Sequence, residues 1–117
     1  MGKDSNPYEY LKDQLKFPIG RVVATAAIAE RMTNDHRFKK FCEDSLIKHM
    51  TGDWGDVDPD DKQQNDASAD PENPGRILSV YNLTPELLVP YYQIDKKIWI
   101  ITEWDRSVTT ILYPSEY

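Results

Sequence analysis

His49, Arg76, Glu103 and Arg106 are the residues of this sequence whose types could carry out a reaction together. A histidine titrates near neutrality, a glutamate held on a sheet can take a proton, and an arginine fork can hold a phosphate or an oxyanion. Such a set would cleave RNA by acid and base catalysis without metal. Around it stand Asp53, Trp54, Tyr81, Asp105 and Thr109, polar and aromatic residues of the kind that line a binding cleft. Each also has a purely structural reading. The dipole favours His49 at a helix end, Asp53 can pair with it or cap a turn, and Arg76 with Glu103 can form a cross-strand ion pair. Trp54 and Trp99 read as core or rim packing ahead of stacking platforms.

Other chemistries find few residues to carry them. Cys42 is the only cysteine, so neither a disulfide nor a thiolate metal cluster can form, and its place in an amphipathic pattern makes it a small core residue. Asp56, Asp58 and Asp60 alternate like the first ligands of a calcium loop. The pattern then fails, because Asp61 stands where glycine must allow the turn and Ala67 where a bidentate glutamate is needed. There is no Walker loop, dinucleotide fingerprint or nucleophile elbow. The expectation is a protein with neither metal nor cofactor.

The charge is segregated. Of the 20 acids, eight lie between Asp53 and Glu72 against Lys62 alone, a net −7. The remaining 12 acids and 13 bases of the chain then give +1. With no basic stripe to release counterions, binding to a nucleic-acid backbone is disfavoured unless the nuclease reading holds. The carboxylates could instead imitate such a backbone and occupy a basic groove on a protein partner. The absence of an apolar stretch long enough for a bilayer, of a basic-apolar leader and of paired cysteines points to a cytoplasmic protein; a monomer or weak dimer is the default expectation.

The elements that must position these residues follow from periodicity. Tyr8, Leu11 and Leu15 give a short helix opened by Asn6 and Pro7. Ile19 to Ala24 is extended, and Thr25 then caps a helix through Ala26, Ile28, Ala29 and Met32 that Asn34 and Asp35 end. From Arg37 to Met50 the residues Phe38, Phe41, Cys42, Ser45, Leu46 and Met50 keep one stripe, which Gly52 stops. Asp58, Pro59, Asp60 and Asp61 open a polar helix to about Ser68, with acids at the positive dipole end. An exposed loop follows from Ala69 to Gly75. The period then changes: Arg76 to Tyr81, Lys97 to Glu103 and Ser107 to Tyr113 are rich in β-branched and aromatic residues and read as strands. The short Trp104 to Arg106 link makes the last two a hairpin. Asn82 to Asp95 is a long loop or one helical turn at Pro85 to Leu88.

The fold class expected is α+β, with N-terminal helices packed on a C-terminal antiparallel sheet of three or four strands. Residues 1–16 form an N-terminal extension. Residues 17–117 form one domain, of a size that can bury its own core, with the acidic loop and helix at 53–72.

The strings FPIGRVVAT (17 to 25), HMTGDWGD (49 to 56), GRILSVY (75 to 81) and KIWIITEWDRSVTTILYPSEY (97 to 117) resemble the small proteins labelled plasmid-related, found on bacterial plasmids, integrative elements and phages. The resemblance covers most of the chain from Phe17 onward and implies a genomic setting, not an activity. A more distant likeness, in the order of helices before a sheet, is to the barnase, EndoU, colicin and RelE group of small ribonucleases. That group often ends in a catalytic histidine or tyrosine on the sheet, whereas here no histidine follows His49. The expected function is therefore that of a non-enzymatic accessory protein of a mobile element, binding a protein partner and in one version inhibiting a host defence system. The alternative is a metal-independent ribonuclease or toxin using His49, Arg76, Glu103 and Arg106.

Overall fold

Apolar stripes of different period must meet in one core, and in the computed structural model, which describes residues 9–88 and 95–117, they do so as two layers. Strands β1 (Arg21–Ala24), β2 (Ile77–Asn82), β3 (Lys97–Thr102) and β4 (Val108–Leu112) form one sheet in the order β1-β4-β3-β2. Helices α1 (Ala26–Asn34), α2 (His36–Met50) and α3 (Pro59–Ser68) precede three of the four strands. The fold is the expected α+β class. Its sheet is mixed, because β2, β3 and β4 are antiparallel while β1 comes from the front half and lies parallel to β4. Tyr8 of the expected first helix and residues 89–94 of the long loop fall outside the described residues; Glu9–Leu11 is a 3-10 turn, as is Pro85–Leu87.

Local chemistry sets the helix ends. Asp35, expected as a terminator, also starts the next helix: its carboxylate accepts the N–H groups of Arg37 and Phe38, which no intrahelical carbonyl can reach. Thr25 sits at the N-cap of α1, yet its hydroxyl donates to Glu116 Oε1 at 2.8 Å. Pro59 opens α3 without needing an N–H partner.

The α2 stripe of Phe38, Cys42, Leu46 and Met50 is buried in the main core cluster with Tyr81, Ile98, Ile100, Ile111 and Tyr113. Burial pushes the Cys42 thiol up to about 12, so it stays protonated and packs as a small apolar group. Arg31, 1% exposed, crosses the core edge: it donates to the Leu87 carbonyl and the Tyr113 hydroxyl, lies over the Phe38 ring at 4.2 Å and faces Asp35 at 3.5 Å.

The outer edge of β2 is closed by side chains and a short bridge. Trp54 accepts from the Val80 N–H, the Asp56 N–H donates to Val80, and the Asp56 carboxylate accepts from Asn82. Asn65 of α3 reads Leu78 from both sides, its amide donating to the carbonyl at 2.8 Å and its oxygen accepting the N–H at 3.2 Å. Asp66 accepts the Trp54 indole N–H at 2.8 Å. A helix with almost no apolar face is thereby held to the sheet.

Candidate functional site

Strand alternation puts Ser79, Thr102 and Thr109 on the helix-facing side of β2, β3 and β4, among aliphatic neighbours. Buried hydroxyls need partners, and His49 at the end of α2 supplies them. Its Nδ1 lies 2.6 Å from Ser79 Oγ and its Nε2 2.9 Å from Thr102 Oγ1. Thr102 Oγ1 lies 2.6 Å from Thr109 Oγ1, and Thr109 donates to the Ile19 carbonyl at 2.6 Å. That carbonyl can only accept, so the direction of the whole chain follows from it. Thr109 has spent its proton and accepts from Thr102; Thr102 accepts from His49 Nε2–H; His49 Nδ1 accepts from Ser79. The imidazole is neutral, in the Nε2–H tautomer.

All four side chains of this chain are buried, with relative exposures of 0%. Phe17 and Trp54 cover the imidazole with ring centroids at 5.3 and 6.0 Å. Burial and, to a smaller extent, the nearby Arg106 charge together lower the His49 pKa to about 3. A serine bonded to a histidine invites a nucleophilic reading, but here the pair is sealed beneath aromatic rings and no substrate atom could reach it.

Arg76 and Glu103 lie on the other side of the sheet. Thr102 and Glu103 are successive residues and point to opposite faces; His49 bonds the first, while Arg76 pairs with the second at 3.5 Å. Arg76 also donates to the Tyr117 hydroxyl and stacks on that ring at 4.8 Å, and Tyr117 meets Trp99 edge-on. Arg106 holds a left-handed backbone at φ 61° and aims its guanidinium at three carbonyls, Ser68 at 2.6 Å, Gly75 at 2.7 Å and Glu103 at 3.3 Å. It clamps the β3–β4 turn to the loop after α3. The four residues expected to cooperate therefore occupy a buried face, an open face and a loop clamp, with no common cleft.

The five expected binding residues divide in the same way. Trp54 is 2% exposed, Tyr81 is buried and donates its hydroxyl to the Asp53 carbonyl at 2.7 Å, and Thr109 belongs to the buried chain. Burial raises the Tyr81 pKa, so it stays a phenol. Asp53 and Asp105 are exposed but serve their own turns, Asp53 accepting the Gly55 N–H and Asp105 the Ser107 N–H and hydroxyl. Hydrogen bonds from Ser107 hold the Asp105 carboxyl below its usual range.

An accessible concavity is lined by two of the expected site residues, Asp105 and Arg106, together with their neighbour Trp104. Trp104, 62% exposed, stands over a groove of about 440 Å³ between the β3–β4 turn and the loop after α3, walled by Phe17, Pro71, Pro74 and Arg106. Sequence reasoning missed Trp104, Ser79, Thr102 and Asn65. Ser79 and Thr102 had a signal: in ILSVY and KIWIIT they fall at the parity of the buried isoleucines, where a hydroxyl must have a partner. Among the described residues there is no group of three or more histidine, cysteine or acidic side chains placed to hold a metal ion. No helix of the described residues is long and apolar enough to cross a membrane. No protein-family model matches the chain, and no curated protein or solved structure matches it either.

Proposed function

We propose that this chain is a non-enzymatic protein-interaction module whose contact surface is the acidic face of α3 together with the adjoining Trp104 groove. The observation that carries the reading is the way α3 is held. Its only buried residues are Asn65 and Ser68, and Asn65 and Asp66 fix it to β2 and Trp54 through hydrogen bonds and not through an apolar face. A helix so polar gains little from an apolar face, and fastening it keeps Asp58, Asp60 and Asp61 displayed in one orientation. At its other end the groove offers an exposed tryptophan, the residue type most often dominant in protein interfaces.

The partner implied is a protein with a basic surface, met by carboxylates that steer the encounter, and by an apolar side chain that fills the groove. Within the mobile-element setting implied by the plasmid-related resemblance, a host defence protein whose nucleic-acid groove is blocked is one such partner. The ribonuclease reading has less support, since His49 is enclosed and Arg76 and Glu103 face away from it.

Affinity capture from a bacterial host lysate with the full chain, repeated with Asp60→Asn/Asp61→Asn and with Trp104→Ala, tests the proposal. The expected result is a retained basic protein that elutes with salt and is lost with either variant, while all three proteins melt alike. Capture that is indifferent to both changes would overturn it, as would cleavage of RNA by the purified protein that His49→Ala abolishes without unfolding it.

A further inference from the structure

The two outer strands of the sheet end in opposite ways. On β2 the outward groups of Leu78 and Val80 are taken by Asn65, Trp54 and Asp56. On β1 the Arg21 N–H bonds to Ser107 and the Thr25 N–H to Ile111, each at 3.1 Å, so odd-numbered residues face β4. The N–H and C=O groups of Val22 and Ala24 therefore point away from the sheet, and none has a hydrogen-bond partner among the described residues. Natural edges are usually blunted by charge, a proline or a cover; between Val22 and Ala24 this one carries neither charge nor proline, and none of the described residues bonds across it.

We infer that β1 is the interface of a two-fold dimer, pairing antiparallel with β1 of a second copy about Val23. Three features of the edge fit a second copy. The first is register: with Val23 opposite its counterpart, Val22 faces Ala24 of the other copy twice over, and the four outward groups on each side are satisfied by the same four groups opposite. The second is size. Val22 is 39% exposed, Ala24 is small, and beside them lies a hollow of about 190 Å³ lined also by Met32, Cys42 and Leu46. Val22 of the other copy covers that hollow. The third is charge. Thr25 continues the extended backbone at φ −63° and ψ 161°, so Arg21 of one copy meets Thr25 of the other. Arg21 has no carboxylate partner among the described residues, and Thr25 already holds the Glu116 carboxylate at 2.8 Å. The left-handed Gly20, φ 62°, ends the pairing at its other side. Five residues a side form a small interface, and the dimer is a weak one.

Sedimentation velocity from about 10 µM to about 1 mM tests this, with variants that leave the β1–β4 ladder intact. The wild-type chain is expected to pass reversibly from monomer to dimer across that range. Val22→Pro, which removes an outward N–H and no hydrogen bond to β4, stays monomeric while still unfolding cooperatively, and Arg21→Glu weakens association about tenfold or more. Opposed Val23 residues form a non-hydrogen-bonded pair with Cα atoms about 4.5 Å apart, within disulfide range. Val23→Cys is therefore expected to cross-link under mild oxidation while Arg21→Cys does not. A wild-type chain that remains monomeric at the highest concentration, a dimer that survives Val22→Pro, or Val23→Cys chains that fail to cross-link would each overturn the proposal. Should Val22→Pro not fold, the cysteine pair decides.

Discussion

His49 is the only residue of the expected catalytic set whose surroundings change its acid–base behaviour in a way that stability can report. In the unfolded chain its pKa is about 6.5; in the fold, burial and the Arg106 charge lower it to about 3. Between those values the unfolded state binds one more proton than the native state, so acid favours unfolding. The stabilisation is fully present above about pH 6.5 and is lost as pH falls toward 3, with a slope of about 1.4 kcal/mol per pH unit. Urea unfolding at pH 7, 6 and 5 should show wild-type stability falling by about half this slope between pH 7 and 6 and by nearly all of it between pH 6 and 5, with smaller losses in His49→Gln; equal losses would mean that the imidazole is not the group involved. Because the chain from Ser79 to the Ile19 carbonyl has one direction, removing its last hydroxyl strands two groups at once. Thr109→Val is expected to cost about 1–3 kcal/mol in the same assay. The histidine's depth could not be read from the sequence: the dipole argument placed it correctly at the end of α2, but burial depends on Phe17 and Trp54 folding over it, contacts that no local pattern encodes.

Among the elements, those with local signals were legible and those held by distant contacts were not. The α2 stripe, the Asp58-Pro59 helix start and the β3–β4 hairpin are written in period, cap and turn chemistry. The GDWG segment is another matter. It looks like a turn that ends α2, and it is in fact a bridge along β2, with Gly55 paired to Val80. Gly55 has φ 75°, and a Cβ there would lie 2.0 Å from the Val80 carbonyl oxygen and 2.6 Å from the Tyr81 ring. Backbone carbonyl and buried ring cannot yield, so Gly55→Ala is expected to cost about 2 kcal/mol or more. Asn65→Leu keeps the volume and removes both bonds to Leu78, at about 1–3 kcal/mol. The two variants separate strain from lost hydrogen bonding: both should speed amide exchange at the β2 edge, but only Asn65→Leu should leave the Asp53–Gly55 turn protected. Comparable exchange throughout 53–56 in both would mean that α3 and the GDWG bridge come away together.

The molecule as a whole is held together by contacts of very unequal reach. Strands β2, β3 and β4 pair in chain order, β3 with β4 through a short turn and β2 with β3 through residues 83–96, whereas β1 must return across most of the sequence to lie beside β4, Arg21 against Val108. Closing that long loop costs chain entropy for a ladder of four residues, two of them exposed, with one edge bare. The sequence could supply an extended Ile19 to Ala24 but not its parallel partner, because four extended residues carry nothing that says which edge of the sheet they join or in which direction. The same inequality sets how the fold should breathe. In dilute solution the Val23 and Thr25 amides, bonded only to β4, are expected to exchange through local detachment of β1, with rates that barely respond to urea. The Ile98 and Ile100 amides lie in a strand flanked on both sides and packed under α2, so they should exchange only by global unfolding and respond to urea with the full slope. Native-state hydrogen exchange at several urea concentrations measures both. If β1 and β3 amides share one free energy and one slope, β1 folds as part of the central sheet, and its low burial does not translate into low stability.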